Sequence, residues 1–429
     1  MSDSQAIHSA VANLYNTYPF PPDPLADDAP PGYNWRWNWV TAYNFCTGRK
    51  PPRQDIRILD AGCGTGSGTD YLINLNPQAE VIAIDISEKA LEVAKERCQR
   101  SGVIEKHTKN IEFHHLPIEE VATLPGEFDL INSVGALHHM PNPVEGIQAL
   151  AAKLAPGGLF HIFVYAELGR WEITLMQRAI ALLQGDKRGD YQDGVKVGRD
   201  IFANLPQNNR LLKRENERWA WENKRDASFA DMYVHPQEID YNVDTLFELI
   251  DASGLEFVCF SNGQNYWDLA RLIGNSPDLM ARAENLTERQ RYRLIESLDP
   301  EISHYEFFLT RPPLSKADWS EDSVLLSAFP ERSPCMDGFP SESIFNYDYQ
   351  LVKLTEVELA FLQACDAHQG NATVKQILED VNLDLATVRS LQARQLVILT
   401  PAWRIRESWV MSIAKKWSPT HPKLKFINF

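Results

Sequence analysis

The feature that most constrains the fold is a glycine-rich turn at residues 58–68, which reads Ile-Leu-Asp-Ala-Gly-Cys-Gly-Thr-Gly-Ser-Gly. The short apolar run before it predicts a buried strand that ends at Asp60. The polar residues after the glycines, from Ser67 onward, predict the start of a helix. Glycine lets the backbone approach a ligand closely, and a helix N-terminus presents unpaired N–H groups. The turn therefore predicts a ligand site, and the alternative is a tight turn that binds nothing.

Short apolar runs alternate with helix-like segments through residues 55–165. The runs lie at 56–59, 81–84, 128–134 and 159–164, and the helix-like segments at 69–75, 87–100 and 143–154. Runs that are apolar almost throughout are typical of strands covered on both faces. Asn142 is placed as the N-cap of the last helix, with Pro143 at its first position. This pattern predicts an α/β fold with a doubly wound parallel sheet, which binds ligands at the carboxyl ends of its strands.

The chain divides into four predicted parts. Residues 1–52 form an arm rich in aromatic residues and proline, whose rings fill the core, cap the ligand pocket, or do both. Residues 53–312 form the sheet domain, with a charge-rich helical insertion at about 166–235. Residues 313–350 are rich in Ser, Pro and Asp and predict a linker. Residues 351–429 predict a small α+β module that resembles a winged helix, with three capped helices, a strand and a basic-aromatic tail.

Charge and cysteine content exclude several classes of protein. The net charge of −16 argues against nucleic-acid binding by the whole molecule and favours a cationic ligand. The 6 cysteines include no C-x-x-C pair, which predicts reduced thiols and no metal site. No apolar run approaches the ~18 residues of a membrane span, and the N-terminus lacks the signal-peptide pattern. We therefore expect a cytoplasmic protein without a membrane span.

The register of the glycines distinguishes between kinds of nucleotide-like ligand. A dinucleotide site would require glycine at 67, where this chain has Ser67. Asp85, about 20 residues after the glycines, ends the second strand and is placed to accept both ribose hydroxyls. The successive motifs lie at 58–66, 81–87, 128–134, 137–139 and 154–158. In order and spacing they resemble those of class I S-adenosylmethionine-dependent methyltransferases. The resemblance covers about 55–310 and implies a Rossmann-like seven-stranded sheet with S-adenosyl-L-methionine as cofactor.

The resemblance also implies which residues bind the cofactor. The glycine turn would line the methionine part, Asp85 would hold the ribose, and Ile86 would pack on the adenine. Pro117 stands where many relatives have an aspartate for the adenine amino group, so the backbone of 116–118 or Glu119 is left for that contact. The predicted cofactor-binding residues are Asp60, Ala61, Gly62, Cys63, Gly64, Asp85, Ile86, Pro117, Ile118, Asn132, Ser133 and Val134.

Methyl transfer from a sulfonium is an in-line displacement, so the protein must mainly align the reactants and exclude water. A base is needed where the acceptor loses a proton. His138 and His139 follow the fourth strand and are the predicted catalytic bases, with a structural role as the alternative. By the same resemblance, the predicted substrate-binding residues are Tyr18, Trp35, Tyr165, Asp231, Tyr233 and His235.

The parts outside the sheet domain bear on the acceptor. Arm, insertion and C-terminal module offer more surface than a small molecule requires, which favours a protein side chain. The Tyr-Pro-Phe-Pro-Pro stretch of the arm, the Asp-Met-Tyr-Val-His-Pro segment at 231–236 and the C-terminal module together resemble long cyanobacterial methyltransferases. Some enzymes of that kind act on an asparagine of phycobiliprotein β subunits. Against asparagine, residues 132–135 read Asn-Ser-Val-Gly, where enzymes that methylate planar amides often carry Asn-Pro-Pro-Tyr.

Two alternatives remain open from the sequence. One is methylation of a small aromatic or quinone-like metabolite, with the arm as a lid. The other is a cofactor-binding regulator whose C-terminal module binds nucleic acid or protein. For nucleic acid, the third helix of that module offers only Arg389 and Arg394, too few for a dense basic face.

Overall fold

The computed structural model describes residues 3–402 except 33, 108, 263–265, 337 and 346–349. The chain forms two compact units, one of residues 1–42 and 52–315, the other of residues 43–51 and 316–429. The predicted basic-aromatic tail falls almost wholly within 403–429 and therefore lies outside the described residues.

A seven-stranded sheet forms the centre of the first unit. Its strands are β1 (Arg57–Ala61), β2 (Glu80–Asp85), β3 (Ile111–His115), β4 (Phe128–Val134), β5 (Leu154–Tyr165), β6 (Glu256–Phe260) and β7 (His304–Thr310). They lie in the order β3-β2-β1-β4-β5-β7-β6. The first five run parallel, whereas β7 is antiparallel to both β5 and β6. The predicted α/β fold, with its Rossmann-like seven-stranded sheet, is confirmed.

Helices connect these strands. In chain order they are α1 (Asp3–Thr17), α2 (Trp39–Thr47), α3 (Ser67–Leu75), α4 (Glu88–Arg100), α5 (Val103–Lys106), α6 (Pro143–Lys153), α7 (Trp171–Gln184), α8 (Tyr191–Asn204), α9 (Arg210–Arg214), α10 (Asp226–Tyr233), α11 (Val243–Ala252), α12 (Ala270–Ile273), α13 (Pro277–Ala283) and α14 (Glu288–Leu298). The side chain of Asn142 accepts a hydrogen bond from the Glu145 N–H, which confirms the predicted cap of α6. None of the helices in the described part of the chain combines the length and apolar character that a membrane span requires.

The charge-rich segment at 166–235 is helical, as predicted, and has a hydrophobic cluster of its own. Tyr191, Phe229 and Tyr233 of the insertion are buried together with Leu14 of α1. An ion pair of 2.8 Å between Arg214 and Glu172 lies at the edge of this cluster. The first helix of the arm and the insertion are therefore packed as one layer.

The second unit contains more of the chain than the sequence predicted. Its elements are α15 (Asp322–Ser327), β8 (Phe329–Arg332), β9 (Ser343–Phe345), β10 (Leu351–Lys353), α16 (Glu356–His368), α17 (Val374–Val381), α18 (Leu385–Ala393) and β11 (Val397–Thr400). The three capped helices and the following strand are present as predicted. The linker predicted at 313–350 is wrong, because β8 pairs with β11 and Leu325 and Ile344 are buried in the core of the unit. Residues 43–51, predicted as part of the arm, also belong to this unit.

Candidate functional site

A cavity of about 430 Å³ opens at the carboxyl ends of β1, β2 and β4. The glycine turn forms one wall. Gly64 has φ +53°, and a Cβ on it would lie 2.4 Å from the backbone oxygen of Phe20. Gly62 has φ +80°, and its Cβ would lie 2.4 Å from the Cβ of Ala136. Glycine is therefore required at both positions, for its backbone conformation and for the close approach.

Two carboxylates at the strand ends are held by directed hydrogen bonds. Asp60 accepts from the side chains of Asn132 at 2.8 Å and Thr69 at 2.6 Å. Burial raises the pKa of Asp60 to about 6. Asp85 accepts from the backbone N–H groups of Gly64 at 2.7 Å and Ser87 at 2.8 Å. Burial also raises the pKa of Asp85. Both side chains are thus fixed acceptors at the edge of the cavity.

The lining of the cavity is acidic. Its carboxylates are Asp23, Asp60, Asp85, Glu119 and Asp231. No Lys or Arg is found among the described residues that line it. Glu119 is paired with His8 at 2.8 Å, whereas the other carboxylates have no cationic partner in that lining. A site of this charge favours a cationic ligand.

The arm closes one side of the cavity. Its lining residues are His8, Val11, Tyr15, Phe20, Pro21, Asp23 and Trp37. The indole N–H of Trp37 donates to the side-chain oxygen of Asn132 at 3.0 Å. The guanidinium of Arg97, on α4, donates to the backbone oxygens of Asp23, Pro24 and Thr65 at 2.8 to 3.0 Å. Arg97 therefore links the arm to the glycine turn, and Trp37 links the arm to β4.

Beside the cavity, two histidines are hydrogen-bonded to the backbone of one residue, Gln237. The rings of His139 and His235 stack with centroids 3.8 Å apart. Nδ1 of His139 lies 3.0 Å from the backbone oxygen of Gln237, so this nitrogen carries the proton and donates. The backbone N–H of Gln237 donates to Nδ1 of His235 at 3.1 Å, so the His235 proton is on Nε2. The two imidazoles are held as opposite tautomers.

A hydrogen-bond chain continues from His235 to the cavity. Nε2 of His235 lies 3.2 Å from the hydroxyl oxygen of Tyr15. That hydroxyl donates to Oδ1 of Asp231 at 2.8 Å. Burial raises the pKa of Asp231 to about 7 and lowers the pKa of His139 to about 4. Near neutral pH, His139 is therefore uncharged, and Asp231 takes up a proton more readily than an ordinary carboxylate.

Most predicted residues line the cavity. They are Asp60, Gly62, Cys63, Gly64, Asp85, Ile86, Pro117, Ile118, Asn132, Val134, His139, Tyr165 and Asp231. Ala61 and Ser133 are fully buried in the sheet behind this lining. His138 is also fully buried, between the rings of His139 and Tyr165, at centroid distances of 4.0 and 4.2 Å. Burial lowers the pKa of His138 well below its ordinary value. It does not line the cavity, which corrects its prediction as a base.

Four predicted substrate residues lie elsewhere. Trp35 is fully buried and packs against Phe308, whereas Trp37 occupies the cavity wall. Tyr233 donates to Glu215 at 2.5 Å inside the insertion. Tyr18 packs against the same insertion cluster, and His235 lies behind Tyr15. These four are corrected to supporting positions.

Several lining residues were missed from the sequence. They are His8, Tyr15, Trp37, Met140 and Phe163. Tyr15 and Trp37 belong to the arm, whose sequence predicts aromatic rings that fill the core or cap the pocket but does not show which ring turns inward. Side chains alternate between the two faces of β5, and this pattern is the one sequence signal that indicated a further lining residue. Phe163 lies two residues before Tyr165 and therefore on the same face of the strand.

Comparison with known proteins identifies this architecture. Residues 52–188 match the family described as "Methyltransferase domain". PKMT2 from Rickettsia typhi, solved in complex with AdoHcy, superposes with a TM-score of 0.54 over 87% of this chain and 78% of its own, at 14% identity. The chain contains a methyltransferase domain with the class I fold. A protein of Synechococcus sp., described as uncharacterized, is 58% identical to it over 94% of this chain and 95% of its own length. A protein of Pseudanabaena tenuis, described as an uncharacterized phycocyanin operon protein W, is 66% identical over 24% of this chain and 98% of its own length.

The cavity of this methyltransferase fits its cofactor, S-adenosylmethionine. The cofactor carries a sulfonium and an ammonium group, and the lining is acidic. Bare backbone at Gly62 and Gly64 leaves space that a Cβ would fill. The carboxylate of Asp85, at the end of β2, is available to ribose hydroxyls.

Two histidines and one aspartate beside the cavity form a possible metal site, whereas the sequence predicted none. His139, Asp231 and His235 place possible ligand atoms within 4.8 Å of one another. However, the Gln237 N–H leaves the proton of His235 on the nitrogen that would have to face a metal. The arrangement therefore favours a hydrogen-bond chain over metal coordination.

Proposed function

We propose that this methyltransferase modifies a protein side chain, and that its acceptor is an asparagine of a phycobiliprotein β subunit. The observation that carries the proposal is the relative in Pseudanabaena tenuis, whose description places it in a phycocyanin operon. Identity of 66% over 98% of that protein supports a related acceptor for both.

The size of the cavity supports a side chain as the acceptor. Its volume of about 430 Å³ lies at the low end of the range of about 300 to 1,000 Å³ for small-molecule sites. S-adenosylmethionine is itself a drug-sized ligand, so its binding leaves space for little more than one small group. An asparagine side chain that enters from a docked protein is small enough for the space that remains.

In this proposal, different residues of the chain contact different parts of the cofactor. Asp85 accepts the ribose hydroxyls, Ile86 packs on the adenine, and the backbone at 116–118 with Glu119 faces the adenine amino group. Asp60 and the glycine turn line the methionine part. When bound, the cofactor supplies an electrophilic methyl group on sulfur. Tyr15 and Trp37 of the arm exclude water from the part of the cavity around that methyl group.

The acceptor end offers planar surfaces to a planar amide. Tyr165 and Phe163, on one face of β5, both line the cavity, with ring centroids 5.9 Å apart. Tyr165 is held rigidly, because the guanidinium of Arg170 lies 3.4 Å from its ring centroid. Arg170 is itself buried and paired with Glu238 at 3.2 Å. This wall supplies the ring stacking that the absent Asn-Pro-Pro-Tyr motif would otherwise provide.

The proposal is tested with the full-length enzyme, tritiated methyl donor and phycocyanin β subunit from a source that does not methylate it. We expect label in the β subunit, confined to one peptide and lost when its asparagine is replaced by glutamine. Asp85→Ala serves as the control with weakened cofactor binding, and at a donor concentration well below its dissociation constant it should label the β subunit more slowly. The proposed acceptor is wrong if the β subunit stays unlabelled under conditions where another protein or metabolite is labelled.

A small aromatic metabolite is the second candidate, favoured by the Phe, Tyr and Trp rings among the described lining residues, which belong to Tyr15, Phe20, Trp37, Phe163 and Tyr165. Label that enters an organic extract and leaves protein unlabelled would support it. The nucleic-acid alternative has no such support. Arg389 of α18 and Arg394, which caps the C-terminus of that helix, are paired with Asp322 and Glu358, respectively, and so do not form a free basic face.

A further inference from the structure

We propose that Asp231 is the catalytic base that takes the proton from the acceptor, and that Tyr15 and His235 position it. The inference rests on the proposed function in one respect, because it requires an acceptor nitrogen that loses a proton. It assigns to Asp231 the role that the sequence gave to His138 and His139.

The direction of the hydrogen-bond chain is set by Gln237. Its N–H faces Nδ1 of His235, which fixes the proton of that ring on Nε2. Nε2–H can then only donate to the hydroxyl oxygen of Tyr15, 3.2 Å away. The hydroxyl proton of Tyr15 is thus directed to Oδ1 of Asp231, at 2.8 Å. All three groups are oriented to stabilise a carboxylate.

The second oxygen of Asp231 is left for the acceptor. Asp231 is 5% exposed and lines the cavity. Among the described residues, Oδ1 bonds to Tyr15 and Oδ2 has no hydrogen-bond partner. Unlike the fully buried atoms of the site, Oδ2 is open to the cavity, and an amide N–H that enters the cavity can donate to it. Asp231 therefore both orients the nitrogen and accepts its proton.

Asp231 and its neighbour His139 differ in pKa, and therefore in their strength as a base. A catalytic base works best with a pKa near the working pH. Burial raises the pKa of Asp231 to about 7, whereas burial lowers the pKa of His139 to about 4. The titratable and charged groups around Asp231 are Tyr15 on α1, His139 after β4, Tyr165 on β5, Arg170 before α7, and His235 and Glu238 after α10.

The reaction balances with Asp231 as the base. The acceptor nitrogen bonds to the methyl carbon while the carbon–sulfur bond of the sulfonium donor breaks and leaves its electron pair on sulfur. The proton of that nitrogen goes to Oδ2 of Asp231. A carboxylate and a sulfonium are consumed, and a carboxylic acid and a neutral thioether are formed, so charge is conserved.

Asp231→Asn is the decisive variant, with Asp226→Asn as its matched control on the same helix but exposed and outside the lining. We expect the single-turnover rate of methyl transfer by Asp231→Asn to fall about 10²- to 10⁴-fold. Affinities for AdoHcy and for the unmethylated β subunit should change less than about three-fold, or about 0.7 kcal/mol. Formate should restore part of the rate to Asp231→Ala, because it can occupy the vacated space as an external base. The control should retain wild-type rate.

Tyr15→Phe tests the positioning chain. The hydrogen bond from Tyr15 opposes the effect of burial and lowers the pKa of Asp231. Its loss should move the acidic limb of the rate profile to higher pH, with AdoHcy affinity retained.

The outcomes separate this proposal from the proposed acceptor. A wild-type rate in Asp231→Asn overturns the proposal, as does an equal loss of rate and binding, which would make Asp231 a binding residue only. If the wild-type enzyme labels another acceptor, the asparagine proposal is wrong, and the same variants then decide the role of Asp231 on that acceptor.

Discussion

At the scale of single residues, two buried aspartates have different partners. Asp85 accepts two backbone N–H groups, so its position is fixed by the turn and by the start of α4. Asp231 depends on one side-chain donor, Tyr15, and keeps one oxygen for the cavity. The first arrangement suits a constant contact to a bound hydroxyl, and the second suits a group whose protonation changes during a reaction.

We predict that Asp85→Ala weakens cofactor binding without loss of the fold. A hydrogen bond to a charged group contributes about 1.5 to 3 kcal/mol, so affinity for AdoHcy should fall about 10- to 150-fold. Isothermal titration calorimetry measures this. The exposed Asp186→Asn, outside the cavity lining, serves as control. An affinity unchanged in Asp85→Ala would contradict the assignment of Asp85 to the ribose.

His139 leads to a prediction on stability and pH. Burial lowers its pKa from 6.5 to about 4, so the unfolded chain binds a proton that the folded chain does not. Stability from this group is present at higher pH and is lost as pH falls through 6.5. Between about pH 7.5 and about pH 5, wild type should lose about 2 kcal/mol more unfolding free energy than His139→Asn. Asparagine retains an N–H for the Gln237 oxygen. Urea titrations at both pH values measure the difference, and equal losses would contradict it.

These residues also show what the sequence could and could not predict. Asp60, Asp85 and the glycines were predictable, because strand ends and the glycine register fix where they lie. The sequence predicted Trp35 as a substrate residue, whereas Trp37 lines the cavity. Both lie in a short 3₁₀ turn, which rotates about 120° per residue, so residues two apart face different sides. Tyr233 fails for a related reason, since it lies two residues beyond Asp231 on α10 and faces the insertion instead.

At the scale of elements, the arm is attached to the cofactor site through α4. Arg97 bonds to three backbone oxygens, one in the glycine turn and two in the arm. Arg97 is 6% exposed, so these bonds are shielded from water. The glycine turn and the arm therefore share one anchor.

We predict that Arg97→Met releases the arm and leaves the sheet intact. Methionine keeps the apolar stem but removes every donor to these oxygens. Hydrogen exchange should rise at Phe20 and Asp23, the two residues of 20–24 that carry an amide hydrogen, and at the glycine turn, and AdoHcy should dissociate faster. Arg100→Met is the matched control, because Arg100 is on the same helix, exposed, and paired only with Asp27 in the described structure. Unchanged exchange at 20–24 in Arg97→Met would show that Arg97 does not hold the arm.

The elements themselves were largely predictable, since period and caps identify them locally. The second unit shows the limit. Residues 313–350 carry apolar side chains at irregular spacing, so neither a helical nor a strand period is visible. β8 is a strand only because β11, far along the chain, pairs with it. Pairing between distant segments is a property of the folded chain and leaves no local signal.

At the scale of the whole molecule, the cavity is lined entirely by residues of the first unit. The second unit is held together in part by residues 43–51. Lys50 pairs with Glu331 at 2.6 Å, and its N–H donates to the Leu399 oxygen at 2.9 Å. The indole N–H of Trp319 donates to the Gly48 oxygen at 2.6 Å. Cofactor binding and overall stability should therefore depend on different parts of the chain.

A chain that ends at Ser315 tests this separation. It retains every residue that lines the cavity, so its affinity for AdoHcy should remain within about three-fold of the full chain, or about 0.7 kcal/mol. The shortened chain loses the partners of residues 43–51, so apolar surface on these residues becomes exposed. Packing then no longer offsets the entropy cost of ordering residues 43–51. We therefore expect a lower thermal midpoint. Calorimetry measures both quantities on the same samples, and circular dichroism shows whether the shortened chain is folded. A folded shortened chain that binds no AdoHcy would contradict the prediction, since it would mean that the second unit contributes to the cofactor site itself.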